Sequence, residues 1–265
     1  MNRKGLGVVV NRSPAPLVML LILVAACSGS IGSGQAMPVG DLPGWRQIFT
    51  DGFTTDVPRG KFPTAVASRW SAYGGGASDT SGKGRYHPET VVSIANGVLT
   101  ERLRAQAGQH PVAAILPSIP KGMVYGRYAI RFRADAVEHY KVAWLLWPDS
   151  EAWPRDGEID FPEGDLTGNI EAHMHRQNGR SGDDQDTFHT ETRFRSWHTA
   201  VIEWRPNSVR FILDGAVVGE VTSRVPATPM HWVIQTETSL GGGAPTTADT
   251  GNVQIDWVAV WKYVG

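Results

Sequence analysis

Short runs in which apolar and polar residues alternate recur along the chain, and they constrain the fold more than any other feature of the sequence. In the run YGRYAIRFRAD, Tyr128, Ile130 and Phe132 fall on one face of a strand and arginines fall on the other. The runs are separated by Gly, Pro, Asp and Asn, and Asp214-Gly215 between two of them is a strong hairpin signal. No long stretch shows a helical period with caps. The sequence therefore predicts an all-β sandwich or jelly roll.

The first 26 residues have the pattern of a signal peptide. Three basic residues within positions 3–12 precede an apolar core over residues 17–26, which is too short to span a bilayer comfortably. Cys27, the only cysteine, follows directly, as in a bacterial lipoprotein box in which the cysteine is lipidated. Ordinary cleavage after Ala36 is the alternative. Either route predicts a mature protein that works outside the cytoplasm.

Residues 27–40 are rich in Gly and Ser, which is typical of a flexible tether, and residues 41–265 are expected to form one domain. Removal of the three basic leader residues leaves 22 basic residues against 26 acidic ones, a net charge of about −4. This balance argues against nucleic acid as a partner, because phosphate binding needs a clustered basic face. We expect a monomer whose membrane contact is made only through a lipid on Cys27.

The segment WPRDGEIDFPEGDL, residues 153–166, breaks the alternating pattern. Glu158 and Asp160 are two positions apart and share one strand face, but Glu163 has the opposite parity. A β-bulge at Pro162 would count two residues as one and return Glu163 to the face of the other two acids. Proline lacks the N–H that a sheet ladder needs and is found at bulges. The sequence therefore predicts a bulged strand that carries three acids on one face.

Two glutamates held in this way suit acid–base chemistry at a sugar. They would lie about four strand positions apart, roughly 13 Å between backbones, and their side chains can lean to within about 5–6 Å of each other over the shorter Asp160. That spacing fits a retaining glycosidase. At ~5.5 Å two like charges repel by about 3 kcal/mol at an effective dielectric of ~20, so we expect one glutamate to keep its proton near neutral pH. The alternatives are a solvated acidic face and a calcium site, although the spacing differs from that of the common calcium loop.

Several segments resemble glycoside hydrolase family 16 in its laminarinase-like members. GEIDFPE resembles the family's Glu-x-Asp-x-x-Glu signature, and further family blocks are resembled, in order, by YGRYAIRFRAD, AWLLWPDSEAWPRDGEID, WHTAVIEWRPNSVRFILDG and VQIDWVAVWKY. The resemblance implies a jelly-roll sandwich of two antiparallel sheets with a concave substrate cleft, and a retaining mechanism. It implies that Glu158 is the nucleophile, that Glu163 is the acid/base, and that Asp160 hydrogen-bonds the nucleophile.

Tryptophans near the acidic strand are candidates for substrate binding, because sugar rings pack on aromatic faces. The resemblance places Trp153 in the subsites beside the nucleophile. We expect Trp153, and Trp144 as well, to contact sugar in preference to Trp147. Most of the ten tryptophans are expected in the core, including Trp257 and Trp261, which share one face of the last run.

Polar side chains on neighbouring runs are further candidates. In EAHMH, Glu171, His173 and His175 share a strand face, and a metal-binding cupin is the rival interpretation. A cupin motif expects a glutamate three or four residues after its second histidine, where this chain has no acid. The resemblance instead suits His175, and less directly His173, to hydrogen bonding near Glu163. Gln235 is expected to reach sugar hydroxyls.

The sequence predicts an extracytoplasmic, retaining endo-glycoside hydrolase that cleaves β-linkages of a polysaccharide, with β-1,3-glucan as the expected substrate. We expect no cofactor for catalysis. Asp256 matches an aspartate that binds a structural calcium ion in some relatives, and an ordinary surface aspartate is the alternative. The alternative functions are a transglycosylase acting on a cell-surface glycan and a non-catalytic, lectin-like carbohydrate-binding module.

Overall fold

Seventeen strands form two large sheets and one small sheet in the computed structural model, which describes residues 35–265. Within those residues the helices are one 3-10 turn, Thr64–Val66, and one short α-helix, α1, Pro88–Val91. The strands are β1 Trp45–Asp51, β2 Trp70–Ala72, β3 Arg85–Tyr86, β4 Val92–Ala95, β5 Val98–Leu103, β6 Pro111–Val112, β7 Ala114–Pro117, β8 Gly126–Ala134, β9 Tyr140–Pro148, β10 Glu158–Asp165, β11 Asn169–His175, β12 Gln185–Arg193, β13 His198–Arg205, β14 Ser208–Leu213, β15 Ala216–Val221, β16 Met230–Thr238 and β17 Gly251–Tyr263. The predicted all-β class is confirmed.

The two large sheets are antiparallel and pack face to face as a jelly-roll sandwich. One has eight strands, in the order β15-β14-β13-β8-β17-β5-β4, with β1 paired to β17 beside this path. The other has seven strands, in the order β12-β11-β10-β9-β16-β7-β2, and it carries the acidic strand β10 near its middle. The short parallel pair β3 and β6 stands apart from both.

The core lies between the inner faces of the two sheets, because alternate residues of every strand point inward. Aromatic rings from opposite sheets meet edge to face across it. Phe132 of β8 lies 5.0 Å from Trp144 of β9, and Tyr128 of β8 lies 5.5 Å from Trp232 of β16, measured between ring centroids. Such contacts fix how the two sheets pack. They also hold β9 and β16 in place, so the outer face of the seven-stranded sheet rests on a packed core.

The last strand does not keep one phase along its length. The register of β17 against β8 shifts between Ile255 and Trp257, so Asp256 is an extra residue in a bulge. Beyond the bulge, Val258 and Val260 face the main core, whereas Trp257 and Trp261 join a second apolar cluster. Both tryptophans are buried as expected, but on the other side of the sheet from Ile255.

The predicted hairpin is present: β14 and β15 pair in antiparallel fashion around Asp214 and Gly215, both of which have positive φ. At the other end of the chain, Ala36–Gly265 form one compact unit, so the domain begins before residue 41. Gly40 shows why: its carbonyl accepts a hydrogen bond of 2.9 Å from Trp261 Nε1.

The predicted signal peptide and the predicted lipidation site at Cys27 lie outside the described residues. Within residues 35–265 we find no helix with the length and hydropathy that crossing a bilayer requires.

Candidate active site

The three acids of β10 lie on one face of the seven-stranded sheet, and a bulge brings them there. Asp160 pairs with His173 of β11 and Glu163 pairs with Glu171, so three residues of β10 span the interval that two occupy on β11. The register against β9 shifts at the same place. The predicted bulge at Pro162 is therefore confirmed.

The other face of β10 belongs to the core, where Ile159 and Phe161 are fully buried. Their burial fixes the strand's orientation, because a slip by one residue would turn these side chains to solvent. On the opposite, outer face of the sheet, Glu158 lines an open cleft of about 460 Å³. The cleft is lined by Tyr73, Ser78, Asp79, Thr80, Tyr86, Leu145, Trp147, Glu151, Trp153, Glu158, Val233 and Gln235.

Burial and mutual charge perturb two of the acids. Burial raises the pKa of Glu158 to about 7; the charge of Glu163 adds to this, while hydrogen bonds with Asp160 and Trp153 and the charge of Lys141 oppose it. Burial, followed by the charges of Glu158 and Glu163, raises the pKa of Asp160 well above its usual range. The Glu158–Asp160 pair therefore retains a proton. This corrects the expectation of a proton kept through repulsion between the glutamates, because burial is the largest cause.

Glu163 has a different environment, in which Lys141 of β9 is its closest charged partner. Lys141 Nζ donates a hydrogen bond of 2.8 Å to Glu163 Oε1, and the lysine side chain is largely buried. Glu237 lies opposite Lys141 in the register of β9 and β16. Burial alone would lower the pKa of Lys141, but the charges of Glu163 and Glu237 stabilise the ammonium and raise this pKa above its usual value. Oε1 of Glu163 is thus occupied, which leaves Oε2 free to face a ligand.

Two histidines of β11 lie beside the acids, in an arrangement that differs from the expected one. His175 pairs with Glu158, and its Nε2 lies 3.6 Å from Glu158 Oε2 and 3.8 Å from Asp160 Oδ2. His173 is the histidine near Glu163, with its Nε2 3.8 Å from Glu163 Oε2. β11 runs antiparallel to β10, so His175, the first choice for hydrogen bonding near Glu163, lies opposite Glu158 instead, although the charge of Glu163 still acts on it.

Trp153 forms an exposed aromatic platform beside Glu158. Its ring is 38% exposed, stacks on Trp147 at a centroid distance of 6.2 Å and an angle of 18°, and meets the edge of His175 at 5.6 Å. A side chain on Gly182 would collide with the Trp153 ring, so the backbone of that loop approaches the ring closely. The platform is therefore held from three sides and presents one free face to the cleft.

Trp144 does not reach the cleft, and the prediction that it binds substrate is wrong. It is fully buried and packs against Phe132 in the core. Side chains alternate along β9, so Lys141, Leu145 and Trp147 point to the cleft face of the sheet and Trp144 points to the core face. Trp147, the less expected candidate, is the one that lines the cleft.

One wall of the cleft is the segment of residues 73–86, which ends in strand β3 and which the sequence did not indicate as functional. It is fastened to the end of β16 by two buried carboxylates. Glu237 Oε1 accepts hydrogen bonds from Thr80 Oγ1 at 2.7 Å and from Tyr86 Oη at 2.7 Å, and Asp79 Oδ2 accepts one from the Thr238 amide at 2.8 Å. These bonds join positions more than 150 residues apart, so no local pattern could have revealed them.

Gln235, which the sequence suggests as a contact for sugar hydroxyls, lines the cleft. It sits opposite Ala143 in the register of β9 and β16 and lines the same cavity as Glu158. Its side chain is mostly covered in the free protein, so a ligand would meet the amide at the base of the cleft.

Two places in the structure bear on the binding of a metal ion. The expected structural calcium at Asp256 does not fit, because the Asp256 carboxylate is paired with the guanidinium of Arg131 at 3.0 Å and a second cation would be repelled there. Within residues 35–265, the group of acids and histidines whose ligand atoms all lie within 4.8 Å of one another is Glu158, Asp160 and His175.

Comparison with known families and structures agrees with this geometry. The model of the glycosyl hydrolases family 16 matches residues 92–259, which include β10 and most of both sheets. No curated protein sequence matches the chain.

Solved structures of similar fold include carbohydrate-active proteins of more than one kind. An endo-1,3-β-glucanase (laminarinase) catalytic domain from Thermotoga petrophila is 22% identical, with a TM-score of 0.66 over 86% of this chain and 100% of that one. A LamA variant from Z. galactanivorans in complex with laminaritriose and laminaritetraose is 18% identical, with a TM-score of 0.63 over 82% of this chain and 98% of that one. A structure described with endo-acting O-glycanases of the human gut microbiota that initiate mucin breakdown is 19% identical, with a TM-score of 0.67 over 83% and 100%. At these identities the likeness concerns the fold.

Proposed function

Since the chain belongs to glycosyl hydrolases family 16, we propose that it is a retaining endo-glycosidase that cleaves internal β-linkages of a polysaccharide, with a β-1,3-glucan as substrate. The observation that carries the proposal is the bulge of β10, which sets Glu163 on the same strand face as Glu158, a residue that lines the cleft. Laminarinases of the same fold support the choice of glucan.

In the proposed reaction Glu158 attacks the anomeric carbon while Glu163 protonates the departing glycosidic oxygen. The bond from Glu158 to the sugar forms as the glycosidic bond breaks, and the configuration inverts once. Glu163, now deprotonated, takes a proton from water as the water displaces Glu158, and the second inversion restores the configuration. One aglycone with a free hydroxyl and one free reducing end are released for each water consumed.

Asp160 supports Glu158 through the proton that the pair retains. When this proton is bound to Asp160, the Asp160 hydroxyl donates a hydrogen bond to Glu158. Glu158 then remains the anion that the attack requires. The near-complete burial of Asp160 favours its neutral form, because a charged carboxyl without solvent is costly. Asp160 is thus a positioning residue that keeps Glu158 ionised and aligned.

Lys141 orients Glu163. Because Oε1 of Glu163 is held by Lys141 at 2.8 Å, Oε2 is the atom that carries the proton to the glycosidic oxygen. Glu163 must therefore be protonated on Oε2 before the glycosidic bond breaks. Trp153 and Trp147 supply a flat surface for a sugar ring next to Glu158, and Gln235 supplies a polar group below it.

We also propose that the protein works outside the cytoplasm, as a monomer that is anchored by a lipid on Cys27 or released after cleavage. The support is the order of a basic start, an apolar core and Cys27 at the beginning of the chain. Radioactive or mass-spectrometric detection of a lipid on Cys27, absent from Cys27→Ser, tests the anchor.

The enzyme proposal is tested with laminarin and reducing-end detection. Glu158→Gln is expected to lower kcat by at least about 10³-fold without unfolding the protein, because the nucleophile is lost while size and packing stay the same. Glu191→Gln, on the exposed side of β12, is the matched control and should keep wild-type activity. NMR of the first product should show the β anomer. Near-normal activity of Glu158→Gln, or a first product of α configuration, contradicts the mechanism.

A lectin-like module and a transglycosylase give different results in the same assay. The module binds laminarin in a pull-down but releases no reducing ends. A transglycosylase transfers fluorescent acceptor oligosaccharides faster than it generates reducing ends. Either result would replace the hydrolase proposal.

A further inference from the structure

The side chains of His175 and of two acids of β10, Glu158 and Asp160, converge on one point. The Nε2 atom of His175 is 3.6 Å from Glu158 Oε2 and 3.8 Å from Asp160 Oδ2. Hydrogen bonds between nitrogen and oxygen are usually about 2.7–3.2 Å long, so these two contacts are too long to be good hydrogen bonds. The three side chains are therefore close together, but His175 Nε2 makes no good hydrogen bond to either acid.

The same separations suit the ligands of a small metal ion. Zinc bonds to nitrogen and oxygen of about 2.0–2.2 Å, arranged as a tetrahedron, place neighbouring ligand atoms about 3.3–3.6 Å apart. The distances of 3.6 Å and 3.8 Å from His175 exceed these edges only slightly. The ligand atoms of all three residues lie within 4.8 Å of one another, so side-chain adjustments alone would gather them around one ion.

Asp160 provides a second, independent observation. It is 2% exposed, and no N–H or O–H group among residues 35–265 donates a hydrogen bond to its buried Oδ2 atom, which points toward His175. The charged form of such a buried oxygen is costly, and either the proton that the Glu158–Asp160 pair retains or a bound cation relieves that cost. Lone acidic clusters on a surface lack this feature because water satisfies them.

We propose that Glu158, Asp160 and His175 form a binding site for a zinc-class transition-metal ion. The ion would have one imidazole and two carboxylate ligands, with the fourth position open to the cleft. Two carboxylates and a neutral imidazole balance the charge of a divalent ion. Calcium and magnesium fit poorly, since they require six or more oxygen ligands and this site offers few.

Occupancy would inhibit the enzyme, and this consequence rests on the proposed function. An ion on Glu158 engages the lone pair that would attack the sugar. Zinc in the surroundings of an extracytoplasmic protein would then act as a reversible off-switch.

Isothermal titration calorimetry of the full chain with ZnCl₂ at neutral pH tests the site without reference to activity. One Zn²⁺ is expected to bind, and His175→Gln, which removes the nitrogen ligand but keeps a polar side chain, should weaken binding more than tenfold. His189→Gln on β12, whose side chain is 71% exposed, is the matched control and should bind as the wild type does. CaCl₂ should give no binding heat. Absence of Zn²⁺ binding by the wild type, or equal binding by His175→Gln, overturns the proposal.

Two further measurements test the metal site on the wild-type protein, so the result does not depend on whether a variant folds. They also separate a failure of the metal site from a failure of the proposed function. Co²⁺ added to the wild type should produce the intense visible absorption of four-coordinate cobalt, and a weak six-coordinate spectrum overturns the proposal. In laminarin hydrolysis, Zn²⁺ should inhibit at the concentrations at which it binds, and EDTA should restore the rate. Binding with unimpaired hydrolysis places the ion elsewhere and overturns the proposal. A protein that never hydrolyses glucan loses the proposed function, while the calorimetry and the cobalt spectrum still decide the metal site.

Discussion

Replacement of the buried acid Glu101 by glutamine is expected to change the pH dependence of stability in a way that can be calculated from the structure. Glu101 lies on β5 between Leu99 and Leu103, whose side chains share its inward face, and it is fully buried. Within residues 35–265 neither its two carboxyl oxygens nor the nearby hydroxyl of Thr236 makes a hydrogen bond of ordinary length and angle. Burial raises the pKa of Glu101 to about 8 from an ordinary value of 4.5, and the hydroxyl of neighbouring Thr236 lowers it only in part.

The sign follows from the proton count. Between pH 4.5 and about 8 the folded protein holds a proton on Glu101 that the unfolded chain has lost, so the free energy of unfolding falls as pH rises. Each pH unit costs about 1.4 kcal/mol, and the loss reaches about 3 kcal/mol at pH 7 and about 5 kcal/mol above pH 8. Below pH 4.5 the contribution is fully restored.

Glu101→Gln is neutral at every pH and therefore lacks this dependence. Its buried amide has a constant cost of about 1–3 kcal/mol, so the variant can be the less stable protein at pH 5 and the more stable one at pH 8. The difference in unfolding free energy, variant minus wild type, should increase by about 4 kcal/mol from pH 5 to pH 8. Urea unfolding at four pH values measures it, and the titration of all other groups cancels in the difference.

The control is Glu191→Gln, an exposed position on β12, whose difference from the wild type should stay flat with pH. A flat difference for Glu101→Gln would refute the reasoning, because it would mean that Glu101 is ionised or solvated in the folded protein. A difference that falls with pH would show that a cation near Glu101 stabilises its charged form.

Two further predictions concern the cleft. Lys141→Met keeps the length of the side chain and removes its charge, and it should lower kcat on laminarin about 10- to 100-fold with little change in KM, because Glu163 loses the bond that orients it. Lys61→Met on the exposed surface is the control, and a rise in KM with unchanged kcat for Lys141→Met would contradict the role of Lys141. Trp153→Ala should raise KM about 5- to 10-fold, from the loss of about 1–1.5 kcal/mol of ring stacking, and unchanged KM would place sugar binding elsewhere.

The acidic strand was predictable because its information is local. The parity of Glu158 and Asp160 against Glu163, with Pro162 between them, indicates a bulge, and the register shift of β10 is at that place. Side chains that alternate on a pleated strand obey the same rule in every protein, so a break in parity needs a structural remedy nearby.

The neighbouring strand was not predictable in the same way. The run around Trp144 and Trp147 is apolar on both faces, so its period does not tell which tryptophan faces the core. Only the packing of Trp144 against Phe132 decides it. Lys141, the one charged residue of the run, lies on the cleft face, but it is itself buried beside Glu163, so its charge alone does not set the phase.

By itself, the sequence determined the all-β class, the Asp214-Gly215 hairpin and the three acids on one strand face, because each depends on residues a few positions apart. The tertiary structure alone decided which histidine meets which acid, which tryptophan lines the cleft, and that Glu237 fastens the loop at Tyr86. It also decided the burial that perturbs Glu158 and Glu101. These properties depend on strand order and on contacts between distant segments, and the free energy of a buried charge depends on what surrounds it rather than on its neighbours in the chain.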